Sequence, residues 1–300
     1  MEGRKFRHLL KKINEYTIRV IPRPIYILLY SIFGSTINYL TVRRVSKITG
    51  LNLISNLHLE NLKRSDTLFI LGSGSTINEI TDEQWEVIGK HDSVGLNFWL
   101  LHSFTPSFYV YEEHLDQERN DIFYVNLSRK ISEYKHVPII VKDVEYKGVS
   151  LGKIPDELKK NYYLSTEIVI PDFDVQKVKK NLRFMLKIYC LINKKKIHVV
   201  PKKSGSLSYL MFMAFMMKYK KIVLCGVDLN NNKYFYDDME VLKPLNEGHG
   251  QHPTNVGNED NVPMERIIDM FNDFAKSYGV EIYCGNKKSA LFPRYQCYFK

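Results

Sequence analysis

Thr67-Leu-Phe-Ile-Leu71 is a short unbroken apolar run, the pattern of a strand buried on both faces of a parallel sheet. Gly72-Ser73-Gly74-Ser75 ends it. Thr81-Asp-Glu-Gln84 then supplies a helix start ahead of Trp85, Val87 and Ile88. Further strands are predicted at residues 93–98, 107–111, 137–141, 197–200, 222–227 and 280–284. Helical spacing marks residues 175–192, where Val178, Leu182, Met185 and Ile188 share a face. It also marks the strongly apolar 207–217 and the amphipathic 264–278. Between Val144 and Asp174 the pattern is mixed and predicts at most short elements.

Strands alternating with helices predict an α/β fold, a Rossmann-like, mainly parallel sheet with helices on both faces. Ligands of such sheets bind beyond the carboxyl ends of the strands. The polar residues expected there are Ser73, Asn97, Glu112, Ser204 and Asp228.

The first 65 residues differ in kind. Arg4, Lys5, Arg7, Lys11, Lys12, Arg19 and Arg23 precede an uncharged run, 24–42, and Arg43, Arg44 and Lys47 follow it. The run approaches the ~20 residues of a spanning helix. Its Pro24, Ser31, Gly34, Ser35, Thr36, Asn38 and Thr41 weaken a span, and its tyrosines with basic flanks fit an interfacial helix better. We therefore expect residues 1–65 to be a basic, amphipathic helical segment for membrane-surface attachment, the alternative being a helical cap packed on the domain.

Composition narrows the class. With 44% hydrophobic and 25% charged residues, the chain is neither disordered nor fibrous. Its net charge of +10 suggests a polyanionic neighbour: nucleic acid, an anionic membrane, or phosphorylated or carboxylated substrates. The basic residues cluster at the N-terminus and around 177–203 without a recognisable reading module, which argues against nucleic acid. Cys190, Cys225, Cys284 and Cys297 form no CxxC pair, so no zinc or redox motif is indicated and the compartment reads as reducing.

Four segments carry candidate chemistry. Gly72-Ser73-Gly74-Ser75 permits a sharp turn that presents amides to an anion. Ile77 stands where a dinucleotide fingerprint has its third glycine, and Asn97 where an NAD site has its ribose-binding acid, so NAD is disfavoured. Ser204-Gly205-Ser206 opens an apolar helix, where an anion site and plain serine N-capping are equally good readings. Asn230-Asn-Asn-Lys-Tyr234-Phe-Tyr236-Asp-Asp238 offers amides and phenols able to donate to a leaving phosphate. Asp228 before it reads either as part of the site or as a structural anchor for the loop. His249 and His252 lie in a polar glycine-containing loop that suits a general base near neutral pH.

Together these segments resemble the bacterial sialyltransferases of glycosyltransferase family 42 and, more loosely, related nonulosonate transferases. Phe69-Ile-Leu-Gly-Ser-Gly-Ser-Thr-Ile-Asn-Glu-Ile80 is similar to that family's opening strand and nucleotide loop. Ser204-Gly205 with Tyr219-Lys-Lys-Ile-Val-Leu-Cys-Gly-Val-Asp228 resembles its Ser-Gly helix and the following strand end. His252, Asn255 and Glu281-Ile-Tyr-Cys284 resemble its catalytic-histidine region. The likeness covers about residues 66–290, poorly over 113–195.

The resemblance implies a GT-A-like single-sheet architecture for residues 66–300 and a metal-independent, inverting transfer of sialic acid or a related keto-sugar acid. The donor is a CMP-sugar, a substrate rather than a cofactor, and no metal is expected. His252 would be the general base, with Tyr234, backed by Tyr236, stabilising the departing phosphate. Gly72, Ser73, Gly74, Ser75 and Asn97 would contact the nucleotide, and Ser204, Gly205 and Ser206 the donor sugar or its carboxylate. Glu112, Asp228 and Asn230 complete the expected binding set. Ser73, Glu112 and Asn230 each replace a residue of the family pattern, and Glu112 would repel a carboxylate, so sialate, another nonulosonate and Kdo all stay open as donors. The expected partners are a glycan or glycolipid acceptor of surface polysaccharide or lipopolysaccharide synthesis and an anionic membrane, at the cytoplasmic face of the inner membrane. Self-association is left open. The rival expectation is a non-enzymatic, membrane-attached nucleotide-binding or scaffold protein.

Overall fold

The computed structural model describes residues 21–58, 62–114, 116–144, 153–194, 196–231, 233–239 and 261–299. Within them, α1 (Arg23–Thr49), β1 (Asn52–Leu53), β2 (Thr67–Leu71), α2 (Asp82–Gly89), β3 (Asp92–Leu96) and β4 (Phe108–Glu112) come first. Next are α3 (Gln117–Arg129), α4 (Ile131–Tyr134), β5 (Ile139–Lys142), α5 (Asp156–Lys159), β6 (Tyr162–Leu164), β7 (Glu167–Val169) and α6 (Val175–Ile192). The last are β8 (Val200–Lys202), α7 (Ser206–Met216), β9 (Lys221–Cys225), α8 (Met264–Ala275) and β10 (Glu281–Cys284).

Eight strands form one sheet in the order β1-β6-β5-β4-β3-β2-β9-β10, and every pairing is parallel. The expected α/β fold is therefore present. Alternation along β2 divides the interior into two cores. Leu68 and Ile70 pack with α6, α7 and α8, while Phe69 and Leu71 pack with α2 and α3 on the other face. The chain runs outward from β2 through β3 and β4, then returns to lay β9 on the other side of β2. The connections diverge between β2 and β9, which opens a crevice at their carboxyl ends.

Two boundaries differ from the sequence reading for local reasons. The second strand stops at Leu96 because Asn97 takes φ 53° and starts a short 3-10 turn. Its Oδ1 accepts the Glu112 amide at 3.1 Å, so the side chain stands in for a strand partner. The strand expected at 197–200 begins only at Val200 and pairs with β7 outside the main sheet. Asn193, at the end of α6, takes up that backbone instead: its Oδ1 accepts from His198 N at 2.8 Å and its Nδ2 donates to Val199 O at 2.7 Å. Strands β1 and β6 are too short to carry a period-2 pattern.

α1 buries Tyr26, Ile27 and Val42 against the domain, and β1 directly after it pairs with β6. Residues 23–58 thus share a sheet and a core with the rest. Ile32, Phe33, Leu40 and Ile48 point outward, so α1 carries apolar residues on both its packed and its exposed surfaces. By length and composition it is apolar enough to cross a membrane.

Candidate active site

A cavity of about 360 Å3 occupies the β2/β9 crevice. The loop after β2 contributes Gly72, Ser73 and Gly74, and the ends of β3 and β4 contribute Asn97, Phe98, Glu112 and His114. The start of α7 supplies Ser204, Gly205, Ser206 and Leu207. The segment after β9 supplies Gly226, Asp228, Leu229, Asn231, Lys233, Tyr234 and Tyr236. Candidates separated by more than a hundred residues therefore meet at one place. Two do not reach it: Ser75 turns toward Asp228, its hydroxyl 3.4 Å from Oδ2, and Asn230 donates to the Lys288 carbonyl at 2.8 Å. Both are diverted by neighbours remote in sequence. His249 and His252 lie outside the described residues.

The glycine turn is built differently from the expected amide cradle. Gly72 N donates to Cys225 O, Gly74 N to Gly226 O (both 2.8 Å) and Ser75 N to Lys233 O (3.0 Å). Thr76 N donates to Asp228 Oδ2 at 3.2 Å. Within residues 72–76 only the Ser73 amide is not spent in this way. The glycines answer to packing. A Cβ on Gly72 would lie 2.6 Å from Gly226 O, and one on Gly74 2.6 Å from Asp228 Oδ2. Asp228, buried, accepts the Thr76 hydroxyl and amide and so staples the turn to β9. Its anchoring role is the one the geometry supports, although it lines the cavity. Ile77, in place of a third glycine, fills the space beside Gly226.

The start of α7 is uncapped by any side chain. Ser204 sits at φ 67° and donates to Val262 O at 2.7 Å, while Ser206 donates to the Glu112 carboxylate. Neither serine does plain N-capping. Glu112 is not an isolated charge: Lys142 Nζ lies 3.1 Å from it and 2.6 Å from Asp143. Lys202 pairs with Asp143 and, at 3.1 Å, with Glu167. Lys142 is only 1% exposed. Burial pushes its pKa down, but Glu112, Glu167 and Asp143 outweigh that and raise it, so the ammonium stays charged. The expected repulsion between Glu112 and an anionic donor is thereby offset from inside the fold.

Tyr234 and Tyr236 lie side by side, ring centroids 5.1 Å apart and planes 13° from parallel. Gly74 and Tyr234 form an antiparallel bridge, with Phe235 N donating to Ser73 O at 2.9 Å. Between them Phe235 turns inward and packs on Trp99 at 5.4 Å and His102 at 5.6 Å. That aromatic anchor leaves both tyrosines lining the cavity. Burial raises the pKa of each tyrosine, so both hydroxyls keep their protons at neutral pH and serve as donors. Ser73 is hydrogen-bonded to Tyr236.

Arg119, His114, Lys233 and Asn231 also line the cavity and were not among the expected site residues. The readable signal for Arg119 was Asp116, which caps α3 by accepting from Glu118 N at 3.0 Å, followed by the buried stripe Asn120, Phe123, Tyr124 and Leu127. Asn97, Ser204 and Leu229 all hold positive φ at the cavity rim, a clustering of backbone strain typical of functional sites. Among the described residues no group of three His, Cys, Asp or Glu side chains that could hold a metal ion occurs.

No family model matches the chain, and neither does any curated protein. Among solved structures it is similar to the sialyltransferase CstII from Campylobacter jejuni in complex with the substrate analogue CMP-3FNeuAc. The identity is 17%, over 77% of this chain and 85% of that chain, with a TM-score of 0.44. It is likewise similar to the monofunctional α-2,3-sialyltransferase Cst-I from Campylobacter jejuni, at 15% identity over 78% of this chain and 81% of that chain, TM-score 0.46.

Proposed function

We propose that the chain is a glycosyltransferase that moves sialic acid or a related keto-sugar acid from a CMP-activated donor to a hydroxyl of a glycan acceptor. One observation carries this reading. Gly72, Ser73, Asn97, Ser204, Gly205, Tyr234 and Tyr236, picked out by their resemblance to one transferase family, line a single cavity at the switch point of a parallel sheet. Such a crevice is where α/β sheets bind nucleotides.

In the proposed reaction the acceptor oxygen attacks the anomeric carbon from the side opposite the phosphate, inverting that centre. The bond from the anomeric carbon to the phosphate oxygen breaks, and its electron pair leaves on CMP. His252 takes the acceptor proton as general base. Tyr234 and Tyr236, held protonated by burial, donate to the phosphate oxygens as charge develops there. These phenols supply the stabilisation that a metal supplies elsewhere, so the transfer is proposed to need none.

We also place the protein peripherally at the cytoplasmic face of an anionic membrane, in the assembly of surface glycans. The outward apolar residues of α1 and the cations Arg43, Arg44 and Lys47 favour such a surface.

The test is a panel of nucleotides and CMP-sugars in thermal-shift and donor-hydrolysis assays, the latter with and without EDTA. The expected result is stabilisation by CMP but not by UDP or NAD, and turnover that survives EDTA. His252→Ala should bind donor like the wild type and lose transfer. Wild-type turnover in that variant would remove His252 from the mechanism, and binding without any turnover in the wild type would favour the scaffold reading.

A further inference from the structure

The charges that line the cavity are not equivalent. Its two carboxylates are both engaged within the fold: Glu112 by Lys142 and Ser206, Asp228 by Thr76 and Asn231. The start of α7, where an anion was expected, already has the Glu112 carboxylate beside it through Ser206. Its two cations lie elsewhere. Arg119 stands in the first turn of α3, and Lys233, exposed, directly precedes Tyr234.

We propose that Arg119, seconded by Lys233, is a binding residue for the phosphate of the nucleotide donor and sets the cavity's preference for a nucleotide over its nucleoside. The inference rests on the transferase reading above and adds a cationic contact to the two phenols. Two observations support it. First, Arg119 shares the cavity wall with Tyr234 and Tyr236, the groups assigned to the phosphate. Second, its positive charge is felt by both phenols, lowering their pKa against the larger upward push of burial. A guanidinium matches phosphate geometry through two parallel N–H bonds, which an ammonium cannot reproduce.

The experiment compares cytidine with CMP on the wild type, Arg119→Gln, Arg119→Lys and Arg129→Gln. Arg129 ends the same helix, does not line the cavity and controls for net charge. In the wild type CMP should bind more tightly than cytidine. Arg119→Gln should reduce that advantage by on the order of ten- to a hundredfold, the size of one lost hydrogen bond between charged groups. Cytidine affinity and the unfolding midpoint should stay unchanged. Arg119→Lys should keep part of the advantage, and Arg129→Gln all of it. In turnover, the loss should appear in KM for the donor more than in kcat.

An Arg119→Gln variant that keeps the full advantage of CMP over cytidine overturns the proposal. If UMP and AMP show the same Arg119-dependent gain over their nucleosides as CMP, Arg119 stands and the cytidine-specific reading of the site falls. If no nucleotide outbinds its nucleoside in the wild type, both fall.

Discussion

Replacing Lys142 by Met tests whether the ion cluster beneath the cavity is integral to the fold. The ammonium is buried between Glu112 and Asp143, and Lys202 is the other cation of the cluster. Lys142→Met keeps an apolar chain of similar length and leaves three carboxylates, Glu112, Asp143 and Glu167, with Lys202 alone. Removing one partner of a buried pair costs about 3–5 kcal/mol, because the charge left behind has neither water nor a counter-ion. In a domain of this size each kcal/mol lowers Tm by roughly 2–4 °C, so a drop of roughly 6–20 °C is expected.

The pH dependence supplies a second readout. Burial raises the Asp143 pKa, but Lys142 and Lys202 outweigh it and hold the carboxyl well below its usual range. A depressed carboxyl pKa gives stability that is present above its unfolded value near ~3.9 and lost as pH falls. The raised pKa of Lys142 gives stability present below its unfolded value and lost at high pH. The difference between wild type and variant should therefore be largest at neutral pH and shrink below about pH 4. Urea unfolding across pH measures both. A variant within about 1 kcal/mol of wild type at pH 7, or a difference that does not change with pH, refutes the reasoning. Adding Glu112→Gln should restore part of the loss.

Three other outcomes follow from the geometry. Gly226→Ala places a Cβ 2.5 Å from Ile77 Cγ1 at φ 62°; the left-handed backbone alone costs roughly 1–2 kcal/mol. Denaturant unfolding should show at least that loss, and Ile77→Ala added to it should relieve only the steric part. Burial, with help from Lys130, lowers the His102 pKa to about 4 from 6.5. A depressed histidine pKa gives stability present above pH 6.5 and lost as pH falls toward 4, so His102→Phe should flatten the acid limb of a Tm-versus-pH curve across that window. Phe33→Asp with Leu40→Asp, at positions 62% and 55% exposed, should leave Tm unchanged and reduce flotation with anionic vesicles. Undiminished flotation would rule out this surface as the attachment.

Local pattern was enough for β2, α6 and the start of α2, where the helix start expected at Thr81–Gln84 is formed by a capping box. It was enough because a strand buried on both faces and an amphipathic helix each write their environment into consecutive residues. The same holds for the strand ends, so Ser73, Asn97, Glu112 and Ser204 could be named as cavity residues before their partners were known.

Tertiary structure alone decided what those residues touch. The glycine turn looks like an anion cradle by composition, yet its amides go to β9 and to the 233–236 segment, more than 150 residues away. Glu112 looks repulsive in one dimension and is neutralised by Lys142, its register partner on the neighbouring strand. Ser75 and Asn230 fit the motif, but distant neighbours divert them. Arg119 belongs to no motif and reaches the cavity only because α3 starts at the carboxyl edge of β4. Sequence by itself thus determined the parallel α/β character, the central buried strands and the loops at their carboxyl edge. Hydrogen-bond partners and charge balance in the cavity came from parallel pairing, which joins segments far apart in the chain and leaves no local trace.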